Sequence, residues 1–135
     1  MKILGLHHVA IATNDNSKQG ELLQSIFGLV SRPAELNAEN KINLTFFDVG
    51  NTALELIEPL GEDSPIAKYL ARRGPGIHHI CFLVDDLDQA LNELIEKNIR
   101  MIDSRPRRGA GGSKIAFIHP ESTGGILIEL KENSH

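Results

Sequence analysis

Tryptophan is absent from this 135-residue chain, tyrosine occurs once, and aromatic residues together make up 4%. A platform for stacking nucleic-acid bases needs several exposed rings, so that class of function is disfavoured. Cationic residues are outnumbered by acidic ones. Fourteen Lys+Arg stand against 18 Asp+Glu, a formal net charge of −4, which leaves no broad basic face for a phosphate backbone. One cysteine, Cys81, excludes an internal disulfide and fits a reducing, cytoplasmic setting. No apolar run approaches the roughly 20 residues of a membrane-crossing helix. The N-terminal stretch MKILGLHHVAIAT turns polar too early for a secretory signal. No nucleic-acid or membrane partner is expected. What is present, 41% hydrophobic and 24% charged residues, suits one ordinary folded domain or two very small fused ones.

Six histidines are many for this length, and four of them form two pairs in similar surroundings. Leu6-His7-His8-Val9-Ala10-Ile11 aligns with Ile77-His78-His79-Ile80-Cys81-Phe82. Each segment runs into an Asx-rich stretch and then into a helical pattern that ends at Gly28 or Asn98. A chain that repeats itself at half its length is best read as two copies of one small unit. The first copy predicts a strand over 6–13, a helix over 16–27 capped by Asn14 or Asp15, and strands near 30–36, 41–49 and 52–58. Gly50-Asn51 marks the last hairpin turn. The second predicts a strand over 77–84, a helix over 86–97, and strands near 99–103, 114–119 and 125–131. On that helix Leu87, Ala90, Leu91, Leu94 and Ile95 form an apolar stripe. Ser64-Pro65 opens a short connecting helix through Ile66–Leu70. Residues 104–113, SRPRRGAGGS, read as a loop. The fold class is therefore α+β: modules 1–58 and 77–135, each β-α-β-β-β, joined by a helical linker 59–76.

Side chains alternate across a strand. His8, Ala10 and Ala12 share one face of the first strand; His79 and Cys81 share the matching face of its repeat. The opposite faces, with Val9 and Ile11 or Ile80 and Phe82, belong under the helices. Each module ends in a strand with a single glutamate between apolar neighbours, Leu54-Glu55-Leu56 and Ile128-Glu129-Leu130. Taken singly, a strand histidine is usually structural, and such a glutamate usually faces water. The repeat links the four. Two modules related by a pseudo-twofold around a shared cleft would bring His8, Glu55, His79 and Glu129 together, a donor set suited to a divalent first-row metal. His7 and His78 fall on the other strand face and read as structural or supporting. His119 and His135 lack the repeat's support. Cys81 reads as a small buried filler.

The segments HHVAIA, ALELIEPLGEDSPIAKYLARRGPGIHHICFLVDDLDQAL and PRRGAGGSKIAFIHPESTGGILIEL resemble the methylmalonyl-CoA epimerase family of the vicinal-oxygen-chelate superfamily. The resemblance implies one domain over 1–135, in which the two modules form a cup-shaped mixed sheet around one divalent metal (Co, Ni, Mn or Zn). It places the ligands at His8, Glu55, His79 and Glu129, the residues reached from the repeat. The implied reaction epimerises methylmalonyl-CoA through a metal-stabilised enediolate. Glu129 is the main acid/base candidate and Glu55 the second, and a homodimer is expected. Some relatives carry a further, non-ligand glutamate in the strand matching 41–47, where this chain has none. Arg105, Arg107, Arg108 and Lys114, with no acidic residue among them, suit the phosphates of an acyl-CoA substrate. Two other activities share such a scaffold: a glyoxalase I-type lactoylglutathione lyase, and metal-free small-molecule binding of the bleomycin-resistance type. An extradiol dioxygenase, commonly longer and using two His and one carboxylate around iron, fits less well.

Overall fold

The computed structural model describes residues 1–133; Ser134 and His135 lie outside the described residues. The chain divides into two units, residues 8–78, and residues 1–7 together with the chain from His79 onward.

In the first unit the C-terminal half of β1 (Ile3–Ala12) leads into α1 (Asn16–Phe27), β2 (Glu35–Asn37), β3 (Ile42–Val49), β4 (Thr52–Pro59) and α2 (Pro65–Arg73). Strand order is β2-β3-β4-β1. β1 runs parallel to β4 with Ala10 opposite Glu55. β3 and β4 form an antiparallel hairpin with Phe46 opposite Glu55 and Val49 opposite Thr52. Gly50 stands at φ 60° in the two-residue turn, the position where a type II′ hairpin requires glycine. Asp15 caps α1 by accepting from the Lys18 amide at 3.1 Å, and Gly28 at φ 69° ends it. Ser64 caps α2, with Pro65 at its first position, as the sequence signals predict.

In the second unit the part of β5 (Gly76–Val84) from His79 onward is followed by α3 (Leu87–Glu96), β6 (Arg107–Arg108), β7 (Lys114–Ile118) and β8 (Ile128–Glu132). β5 runs parallel to β8 with Cys81 opposite Glu129, and β7 runs antiparallel to β8 with Phe117 opposite Glu129. The core consists of Val84, Leu87, Ala90, Leu91, Leu94, Ala116, Ile118 and Leu130, with Phe82 packed against it. The Phe82–Val84 face of β5 therefore lies under α3, and the His79–Cys81 face looks away. Ile95, on the flank of the α3 stripe, is 46% exposed.

The two registers match. His8 lies two residues before the partner of Glu55, and His79 two before the partner of Glu129. The helix starts match as well. The Asn16 amide donates to Glu58 at 2.8 Å, and the Leu87 amide to Glu132 at 3.1 Å. Each glutamate is the third residue after the one that pairs with histidine, and each supplies an acceptor to a helix N-terminus that has spare amides.

Three expectations are corrected. The strand expected over 30–36 is reduced to a bridge between Ser31 and Phe47 followed by β2, because Pro33 has no amide to continue the ladder. The strand expected over 99–103 is a single bridge from Met101 to Ile118. The segment 104–113, expected as loop, carries β6, in which Arg107 pairs with Ile115 and Arg108 with Lys114. Among the described residues, no helix is long and apolar enough to cross a membrane.

Candidate active site

Each unit buries one histidine against one glutamate. His8 Nε2 lies 3.5 Å from Glu55 Oε2, with the side chains 4% and 8% exposed. His79 Nε2 lies 3.0 Å from Glu129 Oε1, with the side chains 5% and 8% exposed. The strand registers produce both contacts. Parallel pairing of the histidine strand with the glutamate strand sets the two side chains on one face, away from the helix. Ala10, Ala12 and Cys81 on that face are fully buried, and their small side chains leave room beside the polar pairs.

Burying a carboxylate without a partner costs several kcal/mol, and the imidazole in each unit meets that need. The same geometry suits metal ligation. Two donor atoms about 2.0–2.2 Å from one ion and roughly at right angles to the ion stand about 3.0 Å apart, and somewhat further at tetrahedral angles. Both pairs fall in that range, and imidazole nitrogen with carboxylate oxygen is a borderline-hard donor set that first-row divalent ions accept.

The other sequence candidates are placed as follows. Phe117 stands edge-on to His79, ring centroids 5.2 Å apart. Cys81 is buried, its thiol directed to the Phe82 carbonyl at 3.8 Å. His78 meets Tyr69 edge-on at 4.7 Å, and Tyr69 donates to the Ile77 carbonyl. Nδ1 of His119 accepts from the Glu121 amide at 3.0 Å, which caps the short 3-10 turn Pro120–Thr123. His135 lies outside the described residues. Arg105 and Arg108 are exposed. Arg107 Nε donates to Asp103 at 3.1 Å. Lys114 donates to Asp88 at 2.8 Å and lies 3.8 Å from Glu132; the hydrogen bond to Asp88 raises its pKa above the ordinary lysine range.

Sequence reasoning passed over Glu58, Glu132, Phe46, Phe117 and Asp103. A signal for the first two was present, since Glu55-Leu56-Ile57-Glu58 and Glu129-Leu130-Lys131-Glu132 repeat one spacing. Phe46 and Phe117 are likewise separated by the same interval as His8 and His79.

A family profile described as "Glyoxalase/Bleomycin resistance protein/Dioxygenase superfamily" matches residues 7–117. The chain is 41% identical over 129 residues to a protein named mitochondrial methylmalonyl-CoA epimerase from Dictyostelium discoideum, covering 94% of this chain and 77% of that protein. It is 36% identical to an ethylmalonyl-CoA/methylmalonyl-CoA epimerase of Cereibacter sphaeroides, covering 94% and 96% of the two chains. A solved structure described as methylmalonyl-CoA epimerase in complex with methylmalonyl-CoA and NH4+ superposes with a TM-score of 0.91 at 32% identity, covering 98% of this chain and 96% of that one. The chain belongs to the glyoxalase/bleomycin resistance/dioxygenase superfamily, with its vicinal-oxygen-chelate fold, and within it to the methylmalonyl-CoA epimerase family of enzymes.

Proposed function

We propose that the protein epimerises methylmalonyl-CoA at C2, with His8, Glu55, His79 and Glu129 together holding one divalent metal ion. The observation that carries this reading is the buried histidine–glutamate pair repeated in both units. The family's shared activity points the same way. When bound, the ion supplies Lewis acidity to the thioester and carboxylate oxygens of the substrate.

The work of the chain's own residues follows from the chemistry of C2, whose proton lies between a thioester and a carboxylate. Epimerisation takes that proton from one face and returns one to the other, so it needs two acid/base groups. In the first step a carboxylate oxygen of Glu129 accepts the C2 proton, and the C–H electron pair moves into the thioester carbonyl to give a thioester enolate beside the substrate carboxylate. In the second, Glu55, which enters the cycle protonated, delivers that proton to the opposite face and the carbonyl reforms; Glu129 then releases its proton to solvent and Glu55 regains one. At the substrate's far end Arg105, Arg107, Arg108 and Lys114 hold the CoA phosphates. Arg107 and Lys114 already carry ion pairs, so Arg105 and Arg108 take the larger share. The reading includes a homodimer working in the cytoplasm, which the single cysteine fits.

The assignment of bases is tested by deuterium exchange into methylmalonyl-CoA at saturating metal. Glu129→Gln, nearly isosteric and still offering an oxygen, is expected to lower exchange by about two to four orders of magnitude. Glu55→Gln is expected to do less to exchange, because removal of the proton by Glu129 and return of a deuteron from the same face suffice for deuterium uptake. The reverse order of effects would exchange the two roles, and normal exchange in both variants would place the base elsewhere.

A further inference from the structure

We infer that Asp103 is a positioning residue for the His79–Glu129 pair, acting through Arg107 and Phe117. The inference rests on the reading above that this pair belongs to the active site. Asp103 holds Phe117 from two directions: its Oδ2 accepts from the Phe117 amide at 2.9 Å, and its own amide donates to the Phe117 carbonyl at 3.2 Å. The same Oδ2 accepts from Arg107 Nε at 3.1 Å, which turns the guanidinium over the Phe117 ring with Cζ 5.2 Å from the centroid. Phe117 in turn stands edge-on to the His79 imidazole at 84° between planes and opposite Glu129 across the strand pair. One carboxylate thus fixes the backbone of Phe117 and the cation on its ring, and the ring borders the imidazole. Partners of this kind set the rotation of a ligating histidine and keep the donor nitrogen aimed.

An ordinary surface ion pair would not be built this way. The Asp103 side chain is 16% exposed against 43% for Arg107, so the anion is largely buried and the cation reaches inward over an aromatic face, an arrangement with electrostatic attraction of its own. The first unit repeats the layering with different residues. Arg32 lies 4.6 Å over Phe46, its Nε is 3.3 Å from Asp48 Oδ1, its amide donates to the Phe46 carbonyl at 2.8 Å, and Phe46 is opposite Glu55. Arg32 occupies the repeat position of Asp103, so arginine-on-phenylalanine beside the glutamate is reached from two different sequences.

The test uses the full chain as wild type, Asp103→Ala, Asp103→Asn, Arg107→Lys and Arg107→Ala. In the metal-free protein the imidazole carbon-bound proton of His79, assigned by its loss in His79→Ala, reports ring orientation directly. Asp103→Ala is expected to move that signal, Asp103→Asn to move it less, and Arg107→Lys to move it although the charge is kept, because an ammonium lacks the planar fork. In turnover, Asp103→Ala and Arg107→Lys are expected to lower kcat about 10–100-fold with KM for the CoA thioester changed less than about twofold. A His79 signal unmoved in both Asp103→Ala and Arg107→Lys overturns the inference. So does a loss in Arg107→Ala that lysine fully restores and that falls on KM alone, since Arg107 would then be a phosphate anchor. If Asp103→Ala fails to fold, the exposed Arg107→Lys substitution carries the test. A wild-type protein without exchange activity would overturn the catalytic reading and leave the signal test standing.

Discussion

A glutamate set between apolar neighbours in a β-strand usually faces water, but Glu55 and Glu129 are buried. Neither residue type nor local pattern distinguishes the two cases. The repeat does, because it pairs each glutamate with a histidine at a fixed place in the order of strands. The repeated spacing marks Glu58 and Glu132 in the sequence, but it does not reveal their partners. Each reaches a helix amide more than 40 residues away in the chain, a contact created by strand placement rather than by local propensity. Glu58 also accepts from the Asn43 side chain at 3.3 Å, while the buried Asn16 side chain donates to the Asn43 and Leu56 carbonyls. We expect Glu132→Ala to lower unfolding stability by about 1–2 kcal/mol, because a largely buried amide loses its acceptor. Glu58→Ala is expected to cost at least as much. Urea denaturation of both variants checks this, and midpoints equal to wild type would show that these contacts contribute nothing.

At the scale of elements, the helices were legible to within three residues because their caps are local chemistry: Asp15, Asp86 and Ser64 all accept from amides in the first turn. Short strands were less legible. Pro33 interrupts one expected strand, and Gly124 and Gly125, at φ 71° and 93°, delay the start of β8. β6 escaped notice because Gly109 disguises it. A Cβ at Gly109 would lie 2.8 Å from Ile115 Cγ2, so glycine is there to let the chain pass close to β7. Gly109→Ala is expected to lower stability by about 1–3 kcal/mol through that clash, read as a lower thermal midpoint; an unchanged midpoint would mean that Ile115 moves aside without cost. The arginines around this element are expected to act on binding. Replacing Arg105, Arg107 and Arg108 together with Ala should raise KM for a CoA thioester, and lower kcat only by the part due to Arg107. The KM effect should shrink at high salt, where screening already weakens the wild type. An unchanged KM at low salt would remove these residues from CoA binding.

At the scale of the whole molecule, duplication made the fold class legible. One β-α-β-β-β reading served twice, and the parallel β1–β4 and β5–β8 pairings set a histidine strand beside a glutamate strand in each unit. The activity was legible only through resemblance, since the same donor set serves several reactions in this superfamily. Metal content tests the donor set: the wild type is expected to hold one divalent ion, and His8→Ala and His79→Ala should each lose it, measured on the purified protein. Retention of a full equivalent in either variant would remove that histidine from the ligand set. The central claim, metal-dependent epimerisation of methylmalonyl-CoA, is tested most directly by following C2 of that substrate in D2O with the protein stripped of metal and then restored. The account predicts that the restored protein interconverts the two epimers and incorporates deuterium at C2, and that the stripped protein does neither. Absence of exchange with metal bound, together with turnover of methylglyoxal plus glutathione, would contradict it.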